Sequence, residues 1–159
     1  MKSIKTEKTM TINRSTEELY RFWHDFANLP RFTKHFQEVS VRDSKRSHWV
    51  MAGPLDTHVE WDAEIIQDRE NELITWASLE GADIGNSGFV EFKPLSHDRG
   101  TAVTVGIKYD LPAGRVGDAI AKLFGESPEQ QIEDDLRRFK MLMETGEIAT
   151  TEGQPRGHS

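Results

Sequence analysis

The chain has 159 residues, a formal net charge of −7 at pH 7 and no cysteine. A chain of this length most simply forms one domain. The negative charge argues against binding to nucleic acid or to an anionic membrane surface, because both attract clustered Lys and Arg. The lack of cysteine excludes disulfides and thiolate metal sites, so a soluble partner or a small ligand is favoured.

The N-terminal residues contain no apolar stretch of the kind that a secretory signal needs, and no segment approaches the ~20 apolar residues of a membrane span. We therefore expect a cytoplasmic protein with no integral membrane segment. Residues 1–147 are predicted to form the domain. Residues 148–159 contain few apolar side chains and are predicted to form a flexible tail.

A strand over residues 3–12 is followed at once by helix signals. Ser15 and Glu18 have the spacing of a capping box, and Asn28 with Pro30 suggests a second, short helix. The first helix has one apolar stripe at helical spacing, formed by Leu19, Phe22, Trp23 and Phe26. The second helix is expected to present Leu29, Phe32 and Phe36.

From residue 38 the pattern changes to that of strands. In "VEWDAEIIQD", residues 59–68, acidic and apolar residues alternate, so Trp61 shares one dry face with Val59 and Ala63 while the acids face water. Polar or Gly/Pro-containing breaks of hairpin length separate six such segments, which predicts an antiparallel meander. The segments are "EVSVRD", "SHWVMAG", "HVEWDAEIIQD", "ELITWASL", "GFVEFKPL" and "TAVTVGIKYD".

A helical period returns after residue 112. One stripe runs through residues 116–124, and Gly125 interrupts it before a new helix start at residues 127–130. This joint predicts a hinge, with residues 115–124 as a lid. The second piece carries Ile132, Leu136, Phe139 and Met143 on one side.

The order of strand, two short helices, six strands and a long helix resembles the START-like superfamily, in particular its bacterial polyketide cyclase/dehydrase and lipid-transport branch. The motifs that carry the resemblance are "FWHDFANLPRF", "VEWDAEI", "NSGFVEF", "RGTAVTV" and "DLRRFKMLMETGEI". The resemblance implies an α+β helix-grip fold. In this fold a curved seven-stranded antiparallel sheet wraps around the long C-terminal helix, with a hydrophobic cavity between them.

The resemblance also implies which side chains contact a ligand. The alternation of the 72–79 strand fits either face: Trp76 with Ile74, or Leu73 with Ala77 and Leu79. With Trp76 inward, the expected ligand-binding residues are Trp61, Trp76, Val90, Phe92, Val105, Ile107, Tyr109, Leu123, Phe124, Leu136 and Phe139. A sheet with so many inward aromatics either fills its own hollow or binds a molecule there.

Few residues suggest chemistry. No HExxH pattern is present, and His58 shares a strand face with Glu60 and Asp62, where a solvated acidic surface is favoured over a metal site. We therefore predict no metal and no cofactor. Ser87 in "GNSGF" lacks the context of a nucleophile elbow and is interpreted as part of a turn that enters a strand.

Tyr109 is the one candidate catalytic residue. It ends an inward-facing series, and its phenol can donate a hydrogen bond to a carbonyl oxygen. The alternative is a core tyrosine whose hydroxyl reaches water. Ser78 and Asn86 are the other polar candidates for the cavity.

The charged run "EDDLRRFK", residues 133–140, predicts two ion pairs on a solvated helix face, Glu133 with Arg137 and Asp134 with Arg138. A surface that docks a partner is the alternative for this run.

Together these features predict a non-catalytic carrier or sensor of a hydrophobic, aromatic or isoprenoid small molecule. The alternatives are a cyclase or dehydratase acting on a polyketide-like substrate, and a quinone or lipid chaperone that docks on a partner enzyme. The scarcity of polar inward residues favours the carrier. The sequence leaves the ligand's identity and the oligomeric state open, a homodimer included.

Overall fold

Seven strands and two α-helices account for most of the residues described. The computed structural model describes residues 2–52, 58–111, 114–115, 117–118 and 128–146. The strands are β1 (Lys2–Ile12), β2 (Phe36–Val41), β3 (Arg46–Ala52), β4 (His58–Arg69), β5 (Leu73–Ser78), β6 (Gly85–Pro94) and β7 (Thr101–Leu111). The helices whose bounds lie within the described residues are α1 (Thr16–His24), a 3-10 helix (Phe26–Arg31), a 3-10 turn (Ser96–Asp98) and α2 (Pro128–Thr145).

The strands form one antiparallel sheet in the order β1-β7-β6-β5-β4-β3-β2. From β2 to β7 each strand pairs with the next one in sequence, as short connections dictate. The exception is β1, which pairs with β7 and is joined to β2 through α1 and the 3-10 helix. The predicted seven-stranded sheet with a long C-terminal helix is thereby confirmed, and it agrees with a helix-grip fold.

The two short helices follow β1 as predicted, although the second starts earlier. Ser15 caps α1 by accepting a hydrogen bond from the Glu18 backbone N at 3.1 Å. The prediction that the second helix starts near Asn28 is wrong. Its cap is Asp25, whose Oδ1 accepts a hydrogen bond from the Ala27 backbone N at 3.3 Å. The Asn28 side chain donates instead to the Phe22 carbonyl oxygen at 2.9 Å.

The strand alternation places a large aromatic and aliphatic core on one face of the sheet. Trp61 is 3% exposed, while its neighbours Glu60 and Asp62 lie on the exposed side. Ile74 and Trp76 are both buried, which settles the open orientation of the 72–79 strand. A bulge between Ile65 and Gln67 ends the alternation in β4.

One stripe of α2 packs against the core. It comprises Ile132, Leu136 and Phe139, as predicted, and Leu142. The end of the helix is attached to the region after β1 through Glu144, whose Oε2 accepts from the Asn13 backbone N at 2.7 Å. The predicted residues Leu123 and Phe124, the Gly125 joint, most of the lid and the tail 148–159 lie outside the described residues.

Candidate ligand-binding cavity

A cavity of about 60 Å³ lies between the inner face of the sheet, the segment that follows the 3-10 helix, and α2. Inward side chains from β3, β5, β6 and β7 form one side, and α2 forms the other. The lining residues described are Trp23, Leu29, Phe32, Thr33, His35, Phe36, Trp49, Met51, Trp76, Asn86, Ser87, Val105, Ile107, Tyr109, Gln131, Ile132, Asp135 and Leu136.

Aromatic rings form much of the cavity wall, and they pack mainly on each other. The Trp49 and Trp76 rings are stacked with their centroids 6.1 Å apart, and Phe36 meets Trp49 edge-on at 5.0 Å. The Trp23 and Phe32 centroids are 5.2 Å apart. The sheet therefore fills most of its concave face with its own rings and leaves a small free volume.

Gly88 provides the space that the Trp76 ring occupies. A Cβ at Gly88 would lie 2.5 Å from Cζ2 of Trp76 and 3.0 Å from the Gly106 carbonyl oxygen. Gly88 and Trp76 are partners across the β5–β6 pair. Because no side chain fits between them, a glycine is needed where this ring lies against the sheet.

The residues that the sequence nominated as ligand contacts fall into two groups. Trp76, Val105, Ile107, Tyr109 and Leu136 line the cavity. Four others are buried but are not among the lining residues: Trp61, Val90, Phe92 and Phe139.

Two of these four residues, Trp61 and Phe139, lie against rings of the cavity wall and so form part of the core behind it. Trp61 lies 5.9 Å from the Trp49 ring and 6.3 Å from the Tyr109 ring, centroid to centroid. Phe139 is covered by Trp23 and Phe32, with centroids 5.0 Å and 4.8 Å from its own. Sequence alternation gives the face of a residue, but not whether a neighbouring ring lies over it.

Two of the polar candidates lie side by side across the β6–β7 pair. Asn86 is the register partner of Tyr109, and both line the cavity. The Asn86 side chain donates to the Ile84 carbonyl oxygen at 2.9 Å, and its backbone N donates to Ser78 Oγ at 3.0 Å. Ser87 lies inside β6 rather than in a turn before it, because that strand begins at Gly85.

Burial of Tyr109 raises the pKa of its phenol above the ordinary value, and the negative charge of Asp135 raises it further. The phenol therefore stays protonated at neutral pH. A protonated phenol can donate a hydrogen bond to a ligand oxygen.

Sequence reasoning missed four polar residues at the cavity: Thr33, His35, Gln131 and Asp135. His35 Nε2 lies 2.7 Å from Gln131 Oε1, and the Lys34 backbone N donates to Asp135 Oδ1 at 3.4 Å. A signal for Asp135 is nevertheless present in the sequence. It follows Ile132 by three residues and directly precedes Leu136, so it lies on the apolar stripe of α2.

The predicted ion pair between Asp134 and Arg138 is wrong. Arg138 pairs with Asp135, and its Nε also donates to the Phe32 carbonyl oxygen at 2.9 Å. Arg137 forms an ion pair with Asp134 at 3.2 Å and another with its predicted partner, Glu133, at 2.9 Å. The difference arises because Arg138 turns toward the segment after the 3-10 helix, where it meets a backbone carbonyl.

On the outer face of the sheet, Glu60 and Asp62 contact His48 rather than His58. His48 Nδ1 lies 2.8 Å from Asp62 Oδ1, and its Nε2 lies 2.8 Å from Glu60 Oε1. Both contacts raise the pKa of the His48 imidazole, and the hydrogen bond with Asp62 is the larger cause. Within the described part of the chain, no group of three or more His, Asp or Glu is arranged to hold a metal ion.

A second depression of about 230 Å³ lies between the end of α1 and the β2–β3 turn. Its lining includes exposed residues of this turn and of the start of β3, such as Ser44, Lys45 and Arg46. We place the candidate site in the smaller inner cavity, because ligand sites are concave and mainly apolar with a few polar groups.

Comparison with known proteins identifies the family. The family model described as "Polyketide cyclase / dehydrase and lipid transport" matches residues 12–137. The chain belongs to this polyketide cyclase/dehydrase and lipid transport family. The resemblance seen in the sequence is thereby confirmed.

Two solved structures and one curated sequence are similar to this family member. A Deinococcus radiodurans protein is 36% identical with a TM-score of 0.73, covering 90% of this chain and 98% of its own. A START superfamily protein from Mycobacterium smegmatis is 15% identical with a TM-score of 0.67, covering 87% and 98%, and shows the fold alone. An uncharacterized 17.2 kDa protein of Streptomyces lincolnensis is 27% identical over 142 residues, 88% of this chain and 89% of its own.

Among the described residues of this family member, no helix has both the length and the apolar character needed to cross a membrane.

Proposed function

We propose that the protein binds a hydrophobic, aromatic small molecule in the cavity between the sheet and α2, as a carrier or a sensor. The observation that supports this most is the cavity wall, in which Trp23, Trp49, Trp76, Phe32 and Phe36 surround a free volume. Flat aromatic rings favour offset or edge-on contacts with other rings. The wall therefore suits an aromatic ligand better than a strongly polar one.

The free volume limits which ligand can bind without movement of the wall. The cavity of about 60 Å³ is smaller than the ~150 Å³ engineered cavity that accepts benzene. At ~24 cal/mol per Å³, leaving it empty costs about 1.4 kcal/mol, which a marginally stable domain tolerates. We therefore expect a ligand of naphthalene size to displace at least one wall side chain, and its affinity to depend on that displacement.

Thermal unfolding with aromatic ligands tests the proposal. A ligand that binds only the folded state stabilises it by RT ln(1 + [L]/Kd), about 2.7 kcal/mol at a hundredfold excess over Kd. For a domain of this size the melting temperature should rise by roughly 5–10 °C. Ile107→Trp, which places a ring in the cavity, should abolish the shift. Ile66→Trp, on the outer surface, is the matched control and should keep it.

A lack of any shift with a panel of aromatic and isoprenoid compounds would contradict binding. An unchanged shift in Ile107→Trp would place the binding site elsewhere on the molecule.

A cyclase or dehydratase activity is the second candidate, and Tyr109 is the residue that favours it. The phenol lines the cavity and stays protonated, so it can polarise a ligand carbonyl. Under the carrier proposal, Tyr109→Phe leaves binding nearly intact. If the protein is an enzyme, the same change lowers turnover of a poly-carbonyl substrate by roughly 100-fold or more, and such a result would overturn the carrier reading.

A further inference from the structure

Asp135 places a carboxyl group in the wall of an otherwise largely apolar cavity. Its side chain is 16% exposed and lies beside Leu136 and Ile132 at the lining. Both of its contacts use one oxygen: Oδ1 accepts from the Arg138 guanidinium and from the Lys34 backbone N. The other oxygen, Oδ2, accepts no hydrogen bond from any residue that the structure describes.

Keeping a carboxyl group in this position is unfavourable for the isolated protein. Burial disfavours the charged form, and it raises the pKa of Asp135 to about 6 although Arg138 acts in the opposite direction. At neutral pH the group is nevertheless mostly ionised. The cavity wall therefore presents a charged acceptor oxygen that lacks a partner among the described residues, and an apolar residue at this place on the stripe would avoid the cost.

In the part of the chain that the structure describes, the groups that face Asp135 leave the role of hydrogen-bond donor to Oδ2 to a ligand. On α2 these groups are Arg138, which already holds Oδ1, and Asp134, which has the same charge. From the segment after the 3-10 helix come Lys34, through its backbone N, and His35. Burial lowers the pKa of His35, so its ring is neutral at pH 7. From β7 comes Tyr109, which Asp135 helps to keep protonated.

We propose that the ligand of this cavity is an aromatic compound with a hydroxyl group that donates a hydrogen bond to Asp135 Oδ2, while its ring lies among the tryptophan and phenylalanine side chains. This inference rests on the proposed function. It adds the chemical class of the ligand and makes Asp135 a residue that determines specificity. A hydrogen bond to an ionised carboxylate should favour the hydroxyl compound roughly 10- to 100-fold over a shape-matched compound without the donor.

Shape-matched pairs test the inference, because a hydroxyl and a methyl group have similar sizes. Phenol is compared with toluene, and 2-naphthol with 2-methylnaphthalene, so that two ring sizes are covered. Binding is followed through the tryptophan indole resonances in NMR spectra at pH 7.5. The wild-type protein should prefer the hydroxyl member of a pair by about tenfold or more. Asp135→Asn should bind both members nearly equally. Glu133→Gln, the same change on α2 at a residue outside the cavity lining, should keep the preference.

A pH titration of the wild-type protein provides a second measurement that does not depend on a variant folding. The hydroxyl preference should fall as the pH drops below about 6, because protonated Asp135 no longer offers a charged acceptor. Both aromatic alcohols stay neutral throughout this range. In Asp135→Asn the ratio of the two affinities should not change with pH between 4.5 and 7.5.

The outcomes separate this inference from the proposed function. If no member of either pair binds to the wild-type protein, the proposed function itself is contradicted. If both members bind equally well, if the preference does not change with pH, or if it survives in Asp135→Asn, the role of Asp135 is wrong and the binding proposal stands.

Discussion

The Trp61 side chain of β4 lies on the inner, buried face of the sheet because its strand alternates apolar and acidic side chains. Its ring is stacked on Trp49 and meets Tyr109 edge-on, with centroid separations of 5.9 and 6.3 Å. Its indole N–H has no hydrogen-bond partner among the described residues. The contribution of Trp61 to stability therefore comes from buried area and ring contacts, with no hydrogen bond to add to it.

Replacing Trp61 by Ala should lower the free energy of unfolding by roughly 3–5 kcal/mol, because a large buried ring is lost and the surroundings collapse only in part. Urea denaturation followed by circular dichroism measures the change. Ile66→Ala on the same strand is the control, since this side chain is 64% exposed, and its effect should stay within about 0.5 kcal/mol. Equal shifts of the urea midpoint would mean that the two faces of β4 are wrongly assigned.

At the scale of elements, the glycine of β6 that accommodates Trp76 gives the sharpest prediction. Gly88→Ala should destabilise the protein by roughly 1–3 kcal/mol, because the new methyl group overlaps the Trp76 ring and the ring must move. Gly85→Ala on the same strand is the matched control. Its Cβ would come no closer than 3.7 Å to Asp110, so its stability should be almost unchanged.

Thermal unfolding with tryptophan fluorescence separates the two glycine variants. Gly88→Ala should change both the melting temperature and the emission spectrum, whereas Gly85→Ala should change neither. A wild-type emission spectrum in a destabilised Gly88→Ala would contradict the assignment of this space to Trp76.

The element order could be predicted from the sequence because the spacing of apolar residues changes clearly along the chain. It alternates between a period near 2 residues, typical of strands, and one near 3.6 residues, typical of helices. The residues at which the elements begin were harder to predict. The 3-10 helix begins at Phe26 because Asp25 caps it, although Asn28 is the same type of capping residue. Similarly, residues 85–87 of β6 are small or polar and resemble a turn until pairing with β7 orders them.

The cavity was predictable only in part, for a different physical reason. The two-residue alternation of β7 assigns Tyr109 to the inner face, whereas that of β5 leaves the face of Trp76 open. Which rings cover others depends on how side chains from several strands interdigitate. Charged residues are normally expected on the surface, so the charged run 133–140 predicts a solvated position for Asp135. Its position on the apolar stripe of α2 was the better guide.

At the scale of the whole molecule, the charge distribution should make the folded state more stable at mildly acidic pH than at neutral pH. The chain carries a net charge of −7 at pH 7 and has a pI near 5.4, so self-repulsion decreases as the pH falls toward 5. His48 has a raised pKa from its contacts with Asp62 and Glu60, so it stabilises the fold at low pH and loses this effect as the pH rises through that pKa. In contrast, Asp43 and Glu144 have lowered pKa values, the first through backbone N–H bonds and the second through Lys140. Each loses its contribution as the pH falls through its lowered pKa.

Asp135 should have the largest single effect on the pH profile. Its folded pKa of about 6 lies above the ordinary value of 3.8, so ionisation disfavours the folded state. The penalty is absent below about pH 4, grows between pH 4 and 6, and is complete above pH 6. A pKa difference of one corresponds to about 1.4 kcal/mol. From pH 4 to pH 7, the free energy of unfolding of Asp135→Asn should therefore rise by on the order of 3 kcal/mol relative to that of the wild type.

Urea denaturation of the wild-type protein and Asp135→Asn across this pH range measures that difference, whatever constant effect the loss of the Arg138 contact adds. Asp134→Asn is the matched control, because its side chain is 41% exposed and its charge is solvated. Its difference from the wild type should vary by less than about 1 kcal/mol over the same range. If the difference in free energy of unfolding between Asp135→Asn and the wild type does not change with pH, the carboxyl group is ionised without cost. Asp135 Oδ2, which has no partner in the described ranges, would then be solvated, and a ligand hydroxyl would gain no advantage there.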